Sequence, residues 1–378
     1  MRSAISVQPE WLGRVPTDRR LPEGRVLYTG CGTSFHAAQT GGAAMQALEL
    51  VLAPQQEADL LVAVSHEGDT PLTVEAARAF AGPVWLVTAK PESPLGELAE
   101  EVLVATPEVE RSWCHTVSYT CAVATLAALR GDDVSGLPAA VETALQQREP
   151  VGAQERYLIA GAGRDWPTAQ EAALKLREGA FVAAEAHETE QLLHGHLAAI
   201  DESVRAFVIE GEGRAAERAA GAVRALRELG CETTLVPSVH PVVDIVRFQL
   251  LTLDLAEARG VDPDKIRRDT SAGIEPAPPT TEGVSPGGPH RLFPREQRYS
   301  SPAHAWATAS CRERDYSLAR QAPSSSASRP GCIPAAPSRS VSATSGAPVS
   351  RAQASVSATV SATGRKRRPA VTARETSA

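Results

Sequence analysis

The stretch EAALKLREGAFVAAE gathers three carboxylates and one ammonium at regular spacing. Steps of four, three and seven residues separate Glu171, Lys175, Glu178 and Glu185. A helix over this stretch would therefore place all four on one face. A carboxylate can accept a proton, and a cation beside it stabilises developing negative charge. His194 follows and titrates near neutral pH, so the pattern indicates acid–base chemistry.

Two other interpretations of these residues stay open. Glu171 and Lys175 stand in the i, i+4 order that stabilises an exposed helix, so the stripe is also compatible with a solvated, salt-bridged face. His187, His194 and His196 have the spacing HxxxxxxHxH. That spacing lacks the i, i+4 histidine pair of a helical metal site. We therefore expect no metal and no cofactor.

Two short polar turns follow apolar runs near the start of the chain. In TGCGTSFHAA, Gly30 and Gly32 permit a tight turn, and Thr33 and Ser34 then open a helix. Backbone N–H groups at a helix start, with two hydroxyls, favour an anion. SHEGDT, residues 65–70, repeats this arrangement. Two such turns on one sheet indicate a single ligand held between them.

Rival interpretations of these turns exist as well. TGCGTS and GAGRDW both begin like a dinucleotide-binding fingerprint, but each lacks the third glycine. A plain helix-capping turn is the other alternative for each motif.

Apolar runs alternate with helical patterns and must position these groups. The runs are almost continuously apolar, as strands buried on both faces are. Predicted strands cover 25–30, 59–65, 83–89, 101–107, 156–163, 206–213 and 232–238. Predicted helices cover 70–82, 115–131, 167–186, 214–230 and 241–260. Two successive βαβ arrays predict an α/β fold with two doubly wound parallel sheets flanked by helices. Ligands bind such sheets beyond the carboxyl ends of the strands.

Composition narrows the class of protein. No run of 18 apolar residues predicts a membrane helix, and no signal peptide is visible. Six cysteines without CxxC spacing fit the reduced cytoplasm. The net charge of −7 combines an acidic body with a basic excess after residue 270. An acidic body argues against nucleic-acid binding by the folded part.

The chain changes character near residue 275. Residues 275–378 are rich in Pro, Ser and Ala and keep no helical or strand period, which predicts a disordered tail. GRKRRPA within it is compatible with a nucleic-acid-binding arm or with a solvated basic run. The tail also resembles a GC-rich gene read out of frame, a hypothesis that peptide mapping of native protein tests.

Four motifs together resemble a known family. CGTS, SHEGDT, EAALKLRE and AEAHETEQLLHGHLAAID resemble successive motifs of the sugar isomerase (SIS) domain family. The likeness is greatest to the isomerase half of glutamine–fructose-6-phosphate aminotransferase, and RGVDPDKIRRD resembles its closing segment. The resemblance covers residues 7–269. It implies two tandem SIS domains, at 20–148 and 150–270, ahead of the tail.

The resemblance also implies roles for individual residues. Glu178 matches the carboxylate that moves a proton between C1 and C2 of the sugar. His194 matches the histidine that opens the sugar ring, which in the family comes from the neighbouring subunit. Glu171 and Lys175 match charged groups of the same helix. The implied substrate- and phosphate-binding residues are Cys31, Gly32, Thr33, Ser34, Ser65, His66, Glu67, Thr70, His115 and Thr116.

Three departures from the family pattern qualify the expectation. No glutaminase domain precedes the first predicted strand, so synthesis of glucosamine-6-phosphate from glutamine is not expected. Asp269 stands where the family has its Schiff-base lysine, leaving Lys175 or Lys265 to carry any imine. Glu67 replaces a phosphate-binding serine, and a carboxylate there repels phosphate. Together with Trp113 and His115, it suggests a substrate that is less anionic than fructose-6-phosphate or carries an amine.

The sequence therefore predicts a cytoplasmic, homodimeric enzyme that acts on a small sugar phosphate without membrane or nucleic-acid partners. The expected activity is aldose–ketose isomerisation or amino-sugar-phosphate isomerisation with deamination, without glutaminase activity. A deglycase that splits sugar–amine adducts is one alternative. A non-catalytic sugar-phosphate-binding module is another, and a truncated or frame-shifted remnant is the third.

Overall fold

Two four-stranded parallel sheets organise the protein. The structure is a computed structural model that describes residues 1–267. The interpretations that concern Asp269 and the tail, residues 275–378, lie outside the described residues. All eight strands pair in parallel with their neighbours, and a helix joins every pair of successive strands except the third and fourth. The α/β class expected from the sequence is confirmed.

The first sheet follows the order of the chain. It contains β1 (Val26–Thr29), β2 (Leu60–Val64), β3 (Val84–Thr88) and β4 (Glu101–Val104), in the order β1-β2-β3-β4. All four strands were predicted. These four strands keep the chain order, but an isolated parallel bridge joins Tyr28 of β1 to Ala44 on the edge opposite β2. Every side chain of β2 is buried, as its apolar run LLVAV predicts.

The second sheet does reverse its order. It contains β5 (Arg156–Gly161), β6 (Ala183–Glu188), β7 (Val204–Ile209) and β8 (Glu232–Val236), in the order β6-β5-β7-β8. Both β6 and β7 pair with β5, and this makes the carboxyl end of β5 the switch point. The expectation of a doubly wound sheet therefore holds for this half of the chain.

Strand β6 corrects the sequence interpretation of residues 167–186 as one helix. The helix ends at Ala180, and Phe181 adopts a left-handed conformation with φ of 54°. Residues 183–188 then pair with β5 over its whole length. Alanine-rich sequence favours helix intrinsically. Here the free edge of β5 and the burial of Ala184 outweigh that preference.

Helices cover both sheets and the N-terminus. They are α1 (Arg2–Ser6), α2 (Gln8–Leu12), α3 (Thr33–Gly41), α4 (Ala47–Leu52), α5 (Pro71–Ala79), α6 (Val117–Arg130), α7 (Leu137–Ala144), α8 (Trp166–Ala180), α9 (Thr189–Leu193), α10 (Arg214–Glu228) and α11 (Pro241–Ala258). Two short 3-10 helices cover Gly163–Asp165 and His196–Ala199. None of the described helices is long and apolar enough to cross a membrane.

One hydrophobic cluster joins the two halves of the described chain. It includes Val62 of β2, Leu126 of α6, Leu176 of α8, Phe207 of β7 and Phe248 of α11. Helix α8, which belongs to the second half in sequence, packs against α3 of the first half. Separate clusters cover the outer faces of the sheets. The close packing of α3 against α8 brings the two predicted groups of site residues together.

Candidate active site

Helix α8 carries a charged triad on its buried face. The Lys175 Nζ lies 2.7 Å from Glu178 Oε2 and 3.4 Å from Glu171 Oε1. The side chains of Glu171 and Lys175 are fully buried, whereas a quarter of the Glu178 side chain is exposed. The helix face predicted from the spacing is thus real for these three residues. Their burial excludes the interpretation as a solvated face.

Glu185 does not belong to this face. It lies on β6, where its side chain is 59% exposed and its Oε2 is 3.0 Å from the Nε2 of His187. The predicted stripe of four is therefore wrong at its last member. The helix ends five residues before Glu185, so the 3.6-residue period no longer applies there.

Two side chains of α3 complete the charged cluster. Thr33 Oγ1 accepts a hydrogen bond from Lys175 Nζ at 3.1 Å and donates one to Glu171 Oε1 at 3.2 Å. His36 Nδ1 lies 2.8 Å from Glu171 Oε2. Thr33 was a predicted site residue, but His36 was not. The available signal was its position one helical turn after Thr33 in TSFH, on the same face.

Lys175 remains an ammonium ion in this setting. Burial lowers the pKa of Lys175, but the carboxylates of Glu171 and Glu178 outweigh it and hold that pKa well above its usual value. A protonated, fully buried amine cannot attack a carbonyl carbon. Lys175 is therefore unsuited to the Schiff-base role left open for it. Lys265, the other possibility, lies on the surface segment 261–267, with its Nζ 3.8 Å from Asp262 Oδ2.

Glu178 is the member of the triad that is open to a ligand. Its Oε2 accepts from Lys175, and its Oε1 accepts no hydrogen bond from residues 1–267. A carboxylate oxygen with free lone pairs beside a fixed cation is suited to receive a proton.

The first polar turn joins β1 to α3. Gly32 precedes the helix with φ of 54°, in the left-handed region that glycine favours. A Cβ on Gly30 would lie 2.8 Å from the backbone of Ser34, so only glycine lets strand and helix approach this closely. Cys31 Sγ lies 3.5 Å from Thr73 Oγ1 of α5. These residues lie at the carboxyl edge of the first sheet, as predicted.

The second polar turn follows β2 at the same edge. Ser65 Oγ and Thr70 Oγ1 lie 3.4 Å apart. Gly68 has φ of 69°, and a Cβ there would collide with Ser93 Oγ. Glu67 is half-buried and makes no hydrogen bond or ion pair with residues 1–267. Its carboxylate is thus not neutralised by any described side chain.

His66 is held as a neutral ring. Its Nε2 accepts a hydrogen bond from the backbone N–H of Glu110 at 2.8 Å. Burial, together with the neighbouring ring of His115, whose centroid is 5.1 Å away, lowers the pKa of His66 to about 4. Because Nε2 accepts, the proton of the neutral ring lies on Nδ1. His66 can therefore donate to a ligand, but it cannot neutralise a phosphate.

Glu110 organises the loop ahead of α6, and sequence reasoning did not identify it. It accepts five hydrogen bonds from four donors, the backbone N–H and hydroxyl groups of Thr116 and Ser118, at 2.6–3.1 Å. Burial alone would raise the pKa of Glu110, but His115, whose Nδ1 lies 3.8 Å from Glu110 Oε2, and the hydrogen bonds from Ser118 outweigh it and lower the pKa to about 2. Thr116, predicted to contact ligand, is fully buried behind this carboxylate.

A small cavity lies between the first polar turn and the rings of His66 and His115. Its volume is about 20 Å³, and its lining includes Thr33, Ser34, His66 and His115. That space holds a water molecule, whereas pockets for small-molecule ligands have volumes of roughly 300–1,000 Å³.

His194 lies apart from the triad. Its side chain is 72% exposed, and its Nε2 is 3.0 Å from Glu190 Oε1 of α9. Arg218 of α10 also binds Glu190. The His187 ring packs against His196, with centroids 4.4 Å apart. Two of the histidines thus pack together while His194 pairs with Glu190, and no group of three potential metal ligands occurs among residues 1–267.

The corresponding edge of the second sheet is occupied by the protein itself. Asp165, buried after β5, accepts from Ser238 Oγ at 2.8 and 2.9 Å with its two oxygens. Burial raises the pKa of Asp165. Asp244 accepts from the backbone N–H of Val239 next to it, and burial raises the pKa of Asp244 to about 7. The GAGRDW turn therefore contains a carboxylate, which would repel a dinucleotide phosphate.

Known proteins resemble this chain in sequence and in fold. Residues 153–261 match the family model of the SIS domain. Glutamine--fructose-6-phosphate aminotransferase [isomerizing] of Methanothermobacter thermautotrophicus is 27% identical over 295 residues, which are 64% of this chain and 50% of that protein. The chain spans about half the length of the curated relatives it matches.

Two solved structures share the fold. The C-terminal domain of glucosamine-fructose-6-phosphate aminotransferase from Francisella tularensis superposes with a TM-score of 0.60 at 19% identity, covering 70% of this chain and 97% of that one. Glucosamine-6-phosphate deaminase from Thermotoga maritima superposes with a TM-score of 0.57 at 18% identity, covering 70% and 96%. At these identities the likeness concerns the fold alone.

Proposed function

Because this chain carries a SIS domain and is homologous to the isomerase half of glutamine–fructose-6-phosphate aminotransferase, we propose that it is a sugar-phosphate isomerase. It moves a proton between C1 and C2 of an open-chain sugar phosphate or amino-sugar phosphate, with or without loss of an amine. Glu178 is the proton carrier in this proposal.

The observation that carries the proposal is the pairing of Glu178 with a buried cation. The Lys175 ammonium lies 2.7 Å from one Glu178 oxygen, while the other oxygen is free to face a ligand. Removal of a proton next to a carbonyl leaves an enediolate, which a fixed positive charge stabilises. Because Glu171 shares the ammonium, the net charge of the cluster goes from −1 to zero when Glu178 takes the proton.

The two polar turns are the proposed ligand cradle. In this proposal the N–H groups before α3 and the hydroxyls of Ser34, Ser65 and Thr70 bind the phosphate. The proposed cradle also includes Cys31, Gly32, Thr33, His66, Glu67, His115 and Thr116. Thr116 takes part indirectly, because it supports the loop ahead of α6 through Glu110. Glu67 repels a dianion, so we expect a substrate whose phosphate charge is offset by an amine.

We propose further that the two sheets are two tandem SIS domains, at residues 20–148 and 150–270. In both halves a glycine turn after the first strand opens a helix, at Gly32 and at Gly163. The SIS family match covers the second half. The four parallel strands and the similar glycine turn of the first half support the same assignment there.

Deuterium exchange tests the proposed reaction. The protein is incubated in D₂O with hexose and hexosamine 6-phosphates and with phosphorylated sugar–amine adducts, and NMR follows C1 and C2. We expect exchange with at least one sugar, slowed roughly 10²- to 10⁴-fold in Glu178→Gln because the base is lost. Glu185→Gln is the matched control, since that carboxylate lies outside the cluster, and it should exchange like the wild type.

Exchange that persists in Glu178→Gln would overturn the assignment. A second candidate function is a non-catalytic sugar-phosphate-binding module. The observation that favours it is the state of Lys175, which is buried and protonated and cannot form an imine. Thermal stabilisation by a sugar phosphate without any exchange would select that module.

We propose that the enzyme is a homodimer in which His194 acts in the partner's site. The side chain of His194 is mostly exposed and is paired only with Glu190 among residues 1–267. Mixing inactive Glu178→Gln and inactive His194→Ala proteins should then restore part of the activity, because a mixed dimer has one intact site. Absence of complementation in confirmed mixed dimers would place His194 outside the reaction.

A further inference from the structure

His36 was not among the residues that the sequence assigned to the site, yet it touches the charged cluster directly. Its Nδ1 is 2.8 Å from Glu171 Oε2, and its side chain is 15% exposed. Thr33 lies one helical turn before it and binds the other Glu171 oxygen. Helix α3 therefore supplies partners to both oxygens of a carboxylate that belongs to α8.

Glu171 depends on these partners because its side chain is fully buried. A buried carboxylate that lacks hydrogen bonds is strongly destabilised and takes up a proton instead. Glu171 Oε1 accepts from Thr33 and faces the Lys175 ammonium at 3.4 Å. Oε2 accepts from His36, its sole hydrogen-bond partner among residues 1–267.

The contact also fixes the form of the imidazole. An ionised carboxylate only accepts hydrogen bonds, so the bonded nitrogen of His36 must carry a hydrogen. That nitrogen is Nδ1. An asparagine at this position can present an amide N–H near the place of Nδ1, whereas a glutamine amide reaches the place of Nε2.

The state of Glu171 decides how Lys175 is shared. The ammonium donates hydrogen bonds to Thr33 Oγ1 and Glu178 Oε2, at 3.1 and 2.7 Å, and forms an ion pair with Glu171 Oε1 at 3.4 Å. If Glu171 became neutral, Glu178 would be the single counter-ion of Lys175. A carboxylate that holds the whole cation accepts a proton less readily.

We propose that His36 is a positioning residue that holds Glu171 as a carboxylate, so that Lys175 stays shared and Glu178 remains an effective base. The inference rests on the proposed function for its catalytic consequence only. Its structural content, the state of Glu171 and Lys175, is measurable without any substrate.

The experiment compares three substitutions with the wild type. His36→Asn keeps a donor at the place of Nδ1, His36→Gln moves the donor, and His36→Leu removes it. Protein labelled with ¹⁵N at lysine reports the Lys175 Nζ resonance. Deuterium exchange into the best sugar of the panel gives kcat and KM.

His36→Asn should keep the wild-type Lys175 resonance and exchange within about threefold of the wild-type kcat. His36→Leu and His36→Gln should shift that resonance and lower kcat by roughly tenfold to a hundredfold, a range typical of outer partners of a catalytic group. KM should change little, because the proposal places His36 against Glu171 and not against the ligand.

Three results would overturn the proposal. One is that both His36→Leu and His36→Gln keep the Lys175 resonance and the kcat of the wild type. Another is that His36→Asn changes the Lys175 resonance and kcat as much as His36→Leu does. The third is a raised KM at unchanged kcat, which would make His36 a ligand contact. If the Leu variant does not fold, the Asn–Gln pair decides. If the wild type exchanges no sugar, the proposed function fails, while the resonance comparison still decides whether His36 controls Lys175.

Discussion

At the scale of single residues, the decisive fact is that Lys175 is shielded from reagents as well as from water. Its nitrogen makes close contacts with two carboxylates and a hydroxyl, and its side chain is fully buried. Sequence alone suggested Lys175 as one of two possible imine-forming amines. Its environment assigns it a purely electrostatic part.

Chemical labelling tests this assignment. In native protein an amine-reactive ester should modify exposed Lys90 and Lys265 but leave Lys175 untouched, and borohydride should trap no sugar on Lys175. The reason is that Lys175 stays protonated and has no open face. Peptide mass mapping reads both results, and protein unfolded in urea, where all lysines react, is the control. A borohydride-stable sugar adduct on native Lys175 would contradict the assignment.

Spacing along one helix was sufficient to predict the triad on α8, because its members lie within the regular part of that helix. It could not predict Glu185, since the end of the helix depends on pairing with β5. Nor could it assign His36 or Glu110. Their partners Glu171 and Ser118 lie 135 and 8 residues away. Only the packing of α3 on α8 brings the first pair together, and the second depends on a loop without a sequence period.

At the scale of elements, the start of α6 depends on a carboxylate that precedes the helix. Glu110 supplies acceptors to the first N–H groups of the helix, which lack partners within the helix. The backbone N–H of Glu110, in the same loop, donates a hydrogen bond to His66 Nε2. The loop therefore ties the start of α6 to the second polar turn.

Folding lowers the pKa of Glu110 from 4.5 to about 2, so its carboxylate stabilises the folded state by roughly 3 kcal/mol at pH 7. Glu110→Gln should lower the free energy of unfolding by that amount. Because the pKa in the folded state is depressed, this stabilisation is complete above pH 4.5 and disappears as the pH falls towards 2. Urea unfolding at pH 7 and pH 3 measures the free energy of unfolding of both proteins. The difference in this free energy between Glu110→Gln and the wild type should be smaller at pH 3. Glu108→Gln, at an exposed neighbouring position, should have no effect. An equal difference at both pH values would refute the role given to the Glu110 charge.

At the scale of the whole molecule, the two halves share one hydrophobic cluster and one buried ion cluster. Residues of β2 and α6 pack in the same cluster as residues of β7 and α11. Sequence predicted two sheets and most of their strands, because buried parallel strands have a strong apolar signature. It gave no sign that the sheets share a core, since that depends on contacts between distant segments.

The shared cluster predicts that residues 1–267 unfold as one cooperative unit. Trp85 in the first half and Trp166 in the second both pack against it. Variants that retain only one of these tryptophans should therefore give the same urea midpoint by fluorescence. Lys175→Met leaves two carboxylates without their buried cation and should lower the free energy of unfolding by about 3–5 kcal/mol. The urea midpoints reported by the two tryptophans should fall together. Two separate midpoints would show that the halves unfold independently.

The carboxylate that fills the edge of the second sheet has a consequence for stoichiometry. Two sheets with similar turns suggest two binding sites per chain, but Asp165 and Ser238 satisfy each other where a second ligand would lie. A sugar phosphate should thus saturate the protein at one molecule per chain in calorimetric titration. The second half is then free to act as the frame that carries α8 to the site of the first.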